Sequence, residues 1–242
     1  MQFVADLHVH TVASGHAYST VLEIARAAAD RKLAMIALTD HGPGMPGGPH
    51  PYHFSNQVVI PAELFGVRIL KGIEANVMDR DGRLDLDEGR LAKMDIVLAG
   101  LHTHCAPYGT VEENTTMMIN AMKNPWVDVI VHPGNPEYQV DPEAVVKAAV
   151  HYDVALEINN SSLTVSRRGS APHCHTIAGL AKTYGAKLIV GSDSHFAWSV
   201  GDFGAATALL AAEGIGPEMV LNTSLERIYA HLRRRTNRRH SL

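Results

Sequence analysis

Residues 3–10, FVADLHVH, open the chain as a short apolar segment that ends in two histidines separated by one residue. Alternate residues of a β-strand point to the same face about 6.6 Å apart, so His8 and His10 can bind one metal ion together. Residues 187–195, KLIVGSDSH, repeat the arrangement near the other end of the chain, with Asp193 and His195 after an apolar run. The two stretches predict strands that each present a pair of metal ligands.

Further apolar segments lie between these two, and mostly helical segments separate them. The predicted inner strands are residues 33–41, 67–77, 95–102, 128–134 and 154–160. The predicted helices are residues 20–32 with Ser19 as N-cap, 111–123, 141–152 with Asp141 as N-cap and Pro142 in the first turn, 171–185, and two more around 204–214 and 217–232. Residues 83–94 are expected to form a short helix at best, and the Gly- and Pro-rich residues 42–56 to form turns without a packed element. This alternation predicts parallel strands covered by helices.

Metal-capable side chains stand at or just beyond the C-terminal ends of six of the seven predicted strands. They are His8 and His10, His41, Glu74, His102, His132, and the pair Asp193 and His195. An open sheet would spread these groups along a line, whereas a barrel closes the strand ends into a ring. Each lone histidine, His132 above all, is also compatible with a polar cap on a strand end. On that interpretation, however, a metal-capable residue would have to occur independently at the ends of six strands. The placement therefore favours a closed barrel of seven strands.

Composition agrees with a globular chain. Of 242 residues, 46% are hydrophobic and 19% charged, and no apolar run approaches the roughly 20 residues of a membrane span. The first residues lack the features of a signal peptide, and two cysteines cannot form a disulfide framework, so a cytoplasmic location is expected.

Charge and histidine content narrow the function. The formal net charge is −4, but five arginines lie within the last ten residues, so the rest of the chain carries −9. A negative charge over most of the chain argues against a surface that binds nucleic acids in general. Fifteen histidines are present, and histidine is the commonest metal ligand.

Several stretches resemble a known family. They are DLHVHTVASGHAYST (6–20), ALTDHGPGM (37–45), GIEAN (72–76), HPGNPEY (132–138), LEINNSS (156–162) and GSDSH (191–195). Together they are similar to the PHP (polymerase and histidinol phosphatase) superfamily, and most of all to the YcdX-type bacterial phosphatases. The resemblance implies one metal-dependent phosphoesterase domain over residues 1–242, folded as a distorted (β/α)7 TIM-like barrel. The Arg-rich residues from about 235 to 242 are expected to form a frayed basic tail.

The resemblance also implies a site with three divalent metal ions. One ion would be bound by His8, His10, Glu74 and Asp193, a second by Glu74, His102 and His132, and a third by His16, His41 and His195. His16 enters the set through the resemblance alone, because it lies in a loop. Zinc is the expected metal, with manganese or iron as alternatives. His104 departs from the resemblance. It is expected to face solvent or substrate, and an alternate metal ligand is the other interpretation.

The charge of such a site points to a phosphate substrate. Seven neutral histidines, two carboxylates and three divalent ions sum to +4, which favours anions. We expect a metal-bridging hydroxide to attack a small phosphate monoester, and no GxSxG or GxxxxGK[ST] motif offers another nucleophile or phosphate loop. Arg167 and Arg168, after the sixth predicted strand, are the candidate substrate-binding residues, although a solvated basic loop is an equal reading. Residues 42–56 are either a lid or a plain surface loop.

Three other functions are also compatible with the sequence. An amidohydrolase would use a similar barrel, but its bridging ligand is typically a lysine, whereas the bridging candidate here is Glu74. A phosphodiesterase or nuclease would use the same metal chemistry, and a non-catalytic PHP module would bind metal only. The expected partner is a small-molecule phosphate ester, with neither membrane nor nucleic acid. The sequence leaves open the physiological ester, the native metal and the oligomeric state.

Overall fold

A computed structural model describes residues 1–238, with side chains through residue 233. Its parallel strands are β1 (Ala5–Val9), β2 (Met35–Leu38), β4 (Val67–Asn76), β5 (Ile96–Gly100), β6 (Val129–Ile130), β7 (Ala155–Asn159) and β8 (Leu188–Gly191), and the short β3 (Glu63–Leu64) pairs antiparallel with β4. The parallel strands follow one another in chain order around the sheet. The chain is thus a single domain built on a nearly closed barrel of seven parallel strands, as predicted.

Helices connect most of the strands on the outside of the barrel. They are α1 (Val21–Asp30), α2 (Tyr52–Asn56), α3 (Glu88–Leu91), α4 (Val111–Met122), α5 (Pro142–Tyr152), α6 (Asn160–Thr164), α7 (Ala171–Tyr184), α8 (Gly204–Ala212) and α9 (Leu225–Arg238). Asp141 caps α5 by accepting the N–H groups of Glu143 and Ala144, with Pro142 in the first turn. Gly185 ends α7 with a left-handed backbone. These caps confirm the predicted boundaries of both helices.

The barrel closes between β8 and β1 at their C-terminal ends. There, His10 N donates to the carbonyl of Ser194 at 2.9 Å, and Asp193 N donates to the carbonyl of His8 at 3.0 Å. The bridge joins the two segments that carry the paired ligands predicted at the start and end of the chain. Closure therefore places both pairs side by side.

Nearer the N-terminal ends of β1 and β8, a side chain replaces strand pairing. The buried amide of Asn222 accepts the N–H of Val190 at 3.0 Å and donates to the carbonyls of Val190 and Ala5 at 2.8 and 2.9 Å. These bonds satisfy backbone groups that the gap would otherwise leave unpaired in the interior. Asn222 thus completes the barrel where the strands do not pair.

Alternation along the strands decides which residues face the barrel interior. A cluster of buried apolar residues, including Leu70, Leu98, Ala155 and Ile189, packs with Ile228 of α9. Glu74 lies four residues after Leu70 on β4, so it continues the same face toward the C-terminal end of the barrel. The polar site therefore rests on a layer of apolar side chains.

Three local predictions are wrong. Helix α1 is capped by Thr20, which accepts the N–H of Glu23 while the Glu23 carboxylate accepts the N–H of Thr20, and Ser19 instead accepts the N–H of Ala197. Residues 42–56 include α2, which forms because Phe54 is buried in the core.

The segment before α9 also differs from the predicted helix over residues 217–232. Residues 217–223 form two 3-10 turns, and α9 begins only at Leu225. The reason is tertiary: Val220 bridges to Leu188, and Val4 N donates to the carbonyl of Asn222. An α-helix here would withdraw Asn222 from the barrel.

At the C-terminus, α9 is described as far as Arg238, and residues 239–242 lie outside the described residues. The frayed tail expected from about residue 235 stays a prediction. Within residues 1–238, none of the helices combines the length and apolar character that crossing a membrane requires.

Candidate metal centre

Glu74 stands at the centre of a ring of histidines. Its Oε1 lies 3.4 Å from His8 Nε2, 3.0 Å from His102 Nε2 and 2.9 Å from His132 Nε2, and its Oε2 lies 3.4 Å from His10 Nε2 and 2.8 Å from His41 Nδ1. The carboxylate is completely buried. Its two oxygens thus face two different sets of ring nitrogens, which is the arrangement that a carboxylate bridging two ions requires.

Asp193 approaches the same centre from the end of β8. Its Oδ1 lies 3.5 Å from His8 Nε2 and 3.2 Å from His10 Nε2. The structure therefore brings together His8, His10, Glu74 and Asp193, the set predicted for one ion.

Backbone strain accumulates around this centre. His132, Arg167 and Asp193 have φ values of 35°, 42° and 54°. A residue with a Cβ adopts such angles at a cost, and the surrounding contacts must hold it there. The strain is typical of a functional site.

Three groups of possible ligand atoms, each within 4.8 Å, occur among the described residues. They are His8, His10 and Asp193; His41, Glu74 and His102; and His10, His41 and His195. His16 belongs to none of them, but its ring lies 5.0 Å from that of His41 and 4.9 Å from that of His195, at the open side of the site. All nine predicted ligands therefore converge. His41 lies next to Glu74, although the sequence assigned these two residues to different ions.

The donor set fits divalent metal ions. Glu74 Oε2, Asp193 Oδ1 and His41 Nδ1 are buried and make no hydrogen bond of acceptable geometry within the described part of the chain, although Glu74 Oε2 and His41 Nδ1 lie 2.8 Å apart. Leaving such atoms unpaired costs free energy unless another group engages them. Imidazole and carboxylate ligands without thiolates suit zinc, manganese or iron.

The pKa shifts favour the protonation states that metal binding needs. Burial would raise the pKa of both carboxyls, but His41 and His102 hold that of Glu74, and His8 and Arg167 that of Asp193, well below the usual range. Burial lowers the pKa of His102 and, with the positive charge of Arg167, that of His132 to about 4. The carboxylates are therefore charged and these two imidazoles neutral at neutral pH.

The pKa values of His8 and His10 shift in opposite directions. Burial lowers the pKa of His10, helped by His195 and His41, to well below its usual value. Burial opposes the charge of His8 as well, but Glu157, Glu74 and Asp193 outweigh it and raise its pKa well above the usual value. A metal ion at Nε2 would supply the positive charge that these carboxylates favour.

A layer of polar residues behind the ligands escaped the sequence interpretation. Glu157 on β7 lies 2.7 Å from His8 Nδ1, while Ser14 Oγ lies 3.1 Å from His10 Nδ1 and donates to Asp40 at 2.7 Å. For Glu157 the available signal was a charged residue flanked by the apolar residues Leu156 and Ile158 in a buried strand.

A cavity of about 760 Å³ opens over the centre. Its lining includes His16, His41, His102, Asp193, His195 and Arg167, and also His104, Met45 and Pro46. Part of the 42–56 segment thus forms a wall of the cavity, and His104 is exposed within it.

The two candidate substrate-binding arginines differ in burial and in their position relative to the cavity. The Arg167 side chain is 16% exposed and donates to Asp193 Oδ2 at 2.8 Å, whereas Arg168 is exposed and is not among the residues that line the cavity. Arg167 therefore reaches the site.

Comparison with known proteins identifies the family. The profile of the PHP domain matches residues 6–138, more than half of the chain. The chain belongs to the PHP family. It is 52% identical over 239 residues to a protein named probable phosphatase from Caldanaerobacter subterraneus subsp. tengcongensis, covering 98% of this chain and 94% of the relative. A protein of the same name from Acetivibrio thermocellus is 47% identical, covering 98% of each chain.

Solved structures share the barrel fold at low sequence identity. Histidinol phosphate phosphatase from Lactococcus lactis, complexed with zinc, L-histidinol and phosphate, superposes with a TM-score of 0.61 at 15% identity, covering 88% of this chain and 94% of that one. A Xaa-Pro dipeptidase with bound methionine gives 0.56 at 13% identity, covering 96% and 75%. At these identities the likeness establishes the fold alone.

Proposed function

We propose that this PHP protein is a metal-dependent phosphatase that hydrolyses a small phosphate monoester at a site for three divalent ions. The convergence of nine metal-capable side chains, with Glu74 at their centre, beneath an open cavity carries the proposal. The family and the relatives named probable phosphatase place the chain among the phosphoric ester hydrolases.

The proposed ligands keep the assignment made from the sequence. Glu74 would bridge, with its Oε1 beside His102 and His132 and its Oε2 beside His10 and His41. His16, His41 and His195 would hold the outermost ion. Zinc is the metal we propose, and zinc is present in the histidinol phosphatase from Lactococcus lactis.

When bound, divalent ions in such a site lower the pKa of a coordinated water and neutralise phosphoryl oxygens. The side chains of the protein would hold the ions and bind the substrate. Glu74 and Asp193 stay charged, and the neutral imidazoles leave the site open to an anion. Arg167, whose guanidinium lines the cavity, would bind the phosphoryl group and orient it toward the centre.

The cavity suits a small phosphate ester. Its volume of about 760 Å³ falls within the range of small-molecule sites. Histidinol and phosphate bound to the enzyme from Lactococcus lactis support the same class of ligand for this chain. We further propose that it acts in the cytoplasm, without a membrane or nucleic-acid partner.

An amidohydrolase is the weaker candidate. Within the part of the chain that the structure describes, the cavity lining contains no lysine, and Glu74 occupies the central position. A central carboxylate in place of a lysine therefore disfavours this candidate.

The test is a hydrolysis screen on protein of measured metal content. The panel contains metabolite phosphate monoesters, phosphodiesters and N-acyl amino acids, and the Glu74→Gln variant controls for contaminating enzymes. We expect hydrolysis of monoesters that requires metal and disappears in the variant. Preferential hydrolysis of diesters or amides would select one of the alternatives, and metal binding without any turnover would indicate a non-catalytic module.

A further inference from the structure

Glu157 is a charged side chain inside the barrel that is not one of the nine proposed ligands. It lies on β7, is 1% exposed, and is surrounded by hydrogen-bond donors. Its Oε1 lies 2.7 Å from His8 Nδ1, and its Oε2 accepts the N–H of His132 at 2.9 Å and the side-chain amide of Asn159 at 3.0 Å. One carboxylate thus contacts two proposed ligands from behind.

We infer that Glu157 is the positioning residue of the metal centre: it holds the proton of His8 on Nδ1, so that Nε2 faces Glu74 and Asp193 as a ligand atom. The inference rests on the proposed metal site. Both oxygens of Glu157 are engaged by donors, so it acts through His8 rather than as a ligand itself. A carboxylate behind a histidine is a common means of fixing which ring nitrogen meets a metal.

The same carboxylate also supports a strained backbone. His132 has a φ of 35°, and its N–H points to Glu157 Oε2. Because this conformation is unfavourable for a residue with a side chain, the hydrogen bond helps to keep the His132 ring directed at Glu74 Oε1, 2.9 Å away. Glu157 therefore orients one ligand on β1 and one that follows β6.

An amide cannot replace this carboxylate. Three donors converge on Glu157, and a glutamine offers one acceptor oxygen and one NH₂ group in place of two oxygens. If the NH₂ faces His8, Nδ1 must accept, and the ring proton moves to Nε2, where it blocks metal binding. If the NH₂ faces His132, two donors oppose each other at the strained backbone.

Asp128 offers a matched control within the same barrel. It is also completely buried and accepts the N–H of Val97 at 2.8 Å, but it precedes β6, at the opposite end of the strands from the proposed ligands. Asp128→Asn therefore removes a buried charge from the barrel without touching the metal centre.

The experiment measures zinc affinity by competition with a chromophoric chelator, for the wild type, Glu157→Gln and Asp128→Asn. Circular dichroism verifies the fold of each. We expect Glu157→Gln to weaken the tightest affected site about 10- to 100-fold, and Asp128→Asn to stay within about twofold. Wild-type affinity in Glu157→Gln, or an equal loss in both variants, would overturn the inference. Absence of zinc binding by the wild type would instead overturn the proposed function.

A second measurement needs no variant at Glu157, in case that variant does not fold. Nitrogen-15 NMR of zinc-loaded protein labelled at histidine reports which ring nitrogen carries a proton, and His8→Asn identifies the His8 signal by its disappearance. We expect a slowly exchanging proton on Nδ1 of His8. A proton on Nε2, with Nδ1 unprotonated, would contradict the role of Glu157.

Discussion

Arg167 and Asp193 form an ion pair in which Nη1 lies 2.8 Å from Oδ2, and both residues have a positive φ. Asn159 also donates to Oδ2, at 3.2 Å, whereas Oδ1 has no hydrogen-bond partner among the described residues. The aspartate thus uses one oxygen to hold the arginine, and the other, beside His8 and His10, is placed to bind the proposed metal ion. The pair links the proposed phosphate-binding residue to the proposed centre.

Arg167→Ala should raise KM for phosphate monoesters and leave the metal content unchanged. A charge-assisted contact to phosphate is worth about 1.5–3 kcal/mol, which corresponds to a loss of about ten- to a hundredfold in kcat/KM. Arg168→Ala is the matched control, because its side chain is exposed and away from the cavity lining. Steady-state kinetics and elemental analysis are the measurements. If both variants keep kcat/KM within about twofold, the phosphate contact comes from another residue.

Glu74→Gln should impair the protein more than loss of a ligand at the edge of the site, such as His195→Asn. Glu74 lies within 3.4 Å of five histidine nitrogens, and a neutral amide would remove negative charge from between two cations. We expect more than one ion per chain to be lost, together with activity. Metal content and kcat close to those of the wild type would show that Glu74 is not the bridge.

Metal-replete protein should contain about three divalent ions per chain. Nine convergent ligands, with buried atoms of Glu74, Asp193 and His41 that make no hydrogen bond of acceptable geometry among the described residues, support this number. Elemental analysis after removal of loosely bound metal is the measurement, with Asp193→Asn as a variant that should bind less. A content of one ion or none would exclude the trinuclear site.

Asp6 should make the stability of metal-free protein depend on pH. Burial raises the pKa of Asp6 from 3.8 to about 6, although its carboxylate accepts the N–H groups of Ser192 and Gly201. The folded state therefore binds the proton more tightly than the unfolded state. The stabilisation is complete below about pH 4 and is lost as the pH rises through about 6, a change of about 3 kcal/mol in the free energy of unfolding.

Urea unfolding of chelator-treated protein between about pH 4 and 7.5 measures this change. Asp6→Asn has no titrating group at this position, so the difference between the two pH profiles isolates it from the other carboxylates. Parallel profiles would show that Asp6 keeps an ordinary pKa in the folded protein.

Much of the barrel was predictable because its causes are local or periodic. Short apolar segments alternating with helices predicted parallel strands, and Asp141 and Gly185 marked helix ends correctly. The prediction for Ser19 was wrong because two adjacent residues could both cap α1, and the contact of Ser19 with Ala197 favoured Thr20. Helix α2 was not predicted because the burial of Phe54, which stabilises it, cannot be inferred from the Gly- and Pro-rich composition of residues 42–56.

The sequence by itself determined which side chains stand at the strand ends. Glu74 and the histidines that follow the strands had to meet once the barrel closed, because parallel strands end on the same side. Tertiary structure alone decided that Asn222 completes the barrel, that Glu157 lies behind His8, and that Arg167 rather than Arg168 reaches Asp193. These contacts join residues that are far apart in the chain or depend on the backbone angles of one turn. A periodic sequence pattern predicts neither long-range contacts nor turn angles.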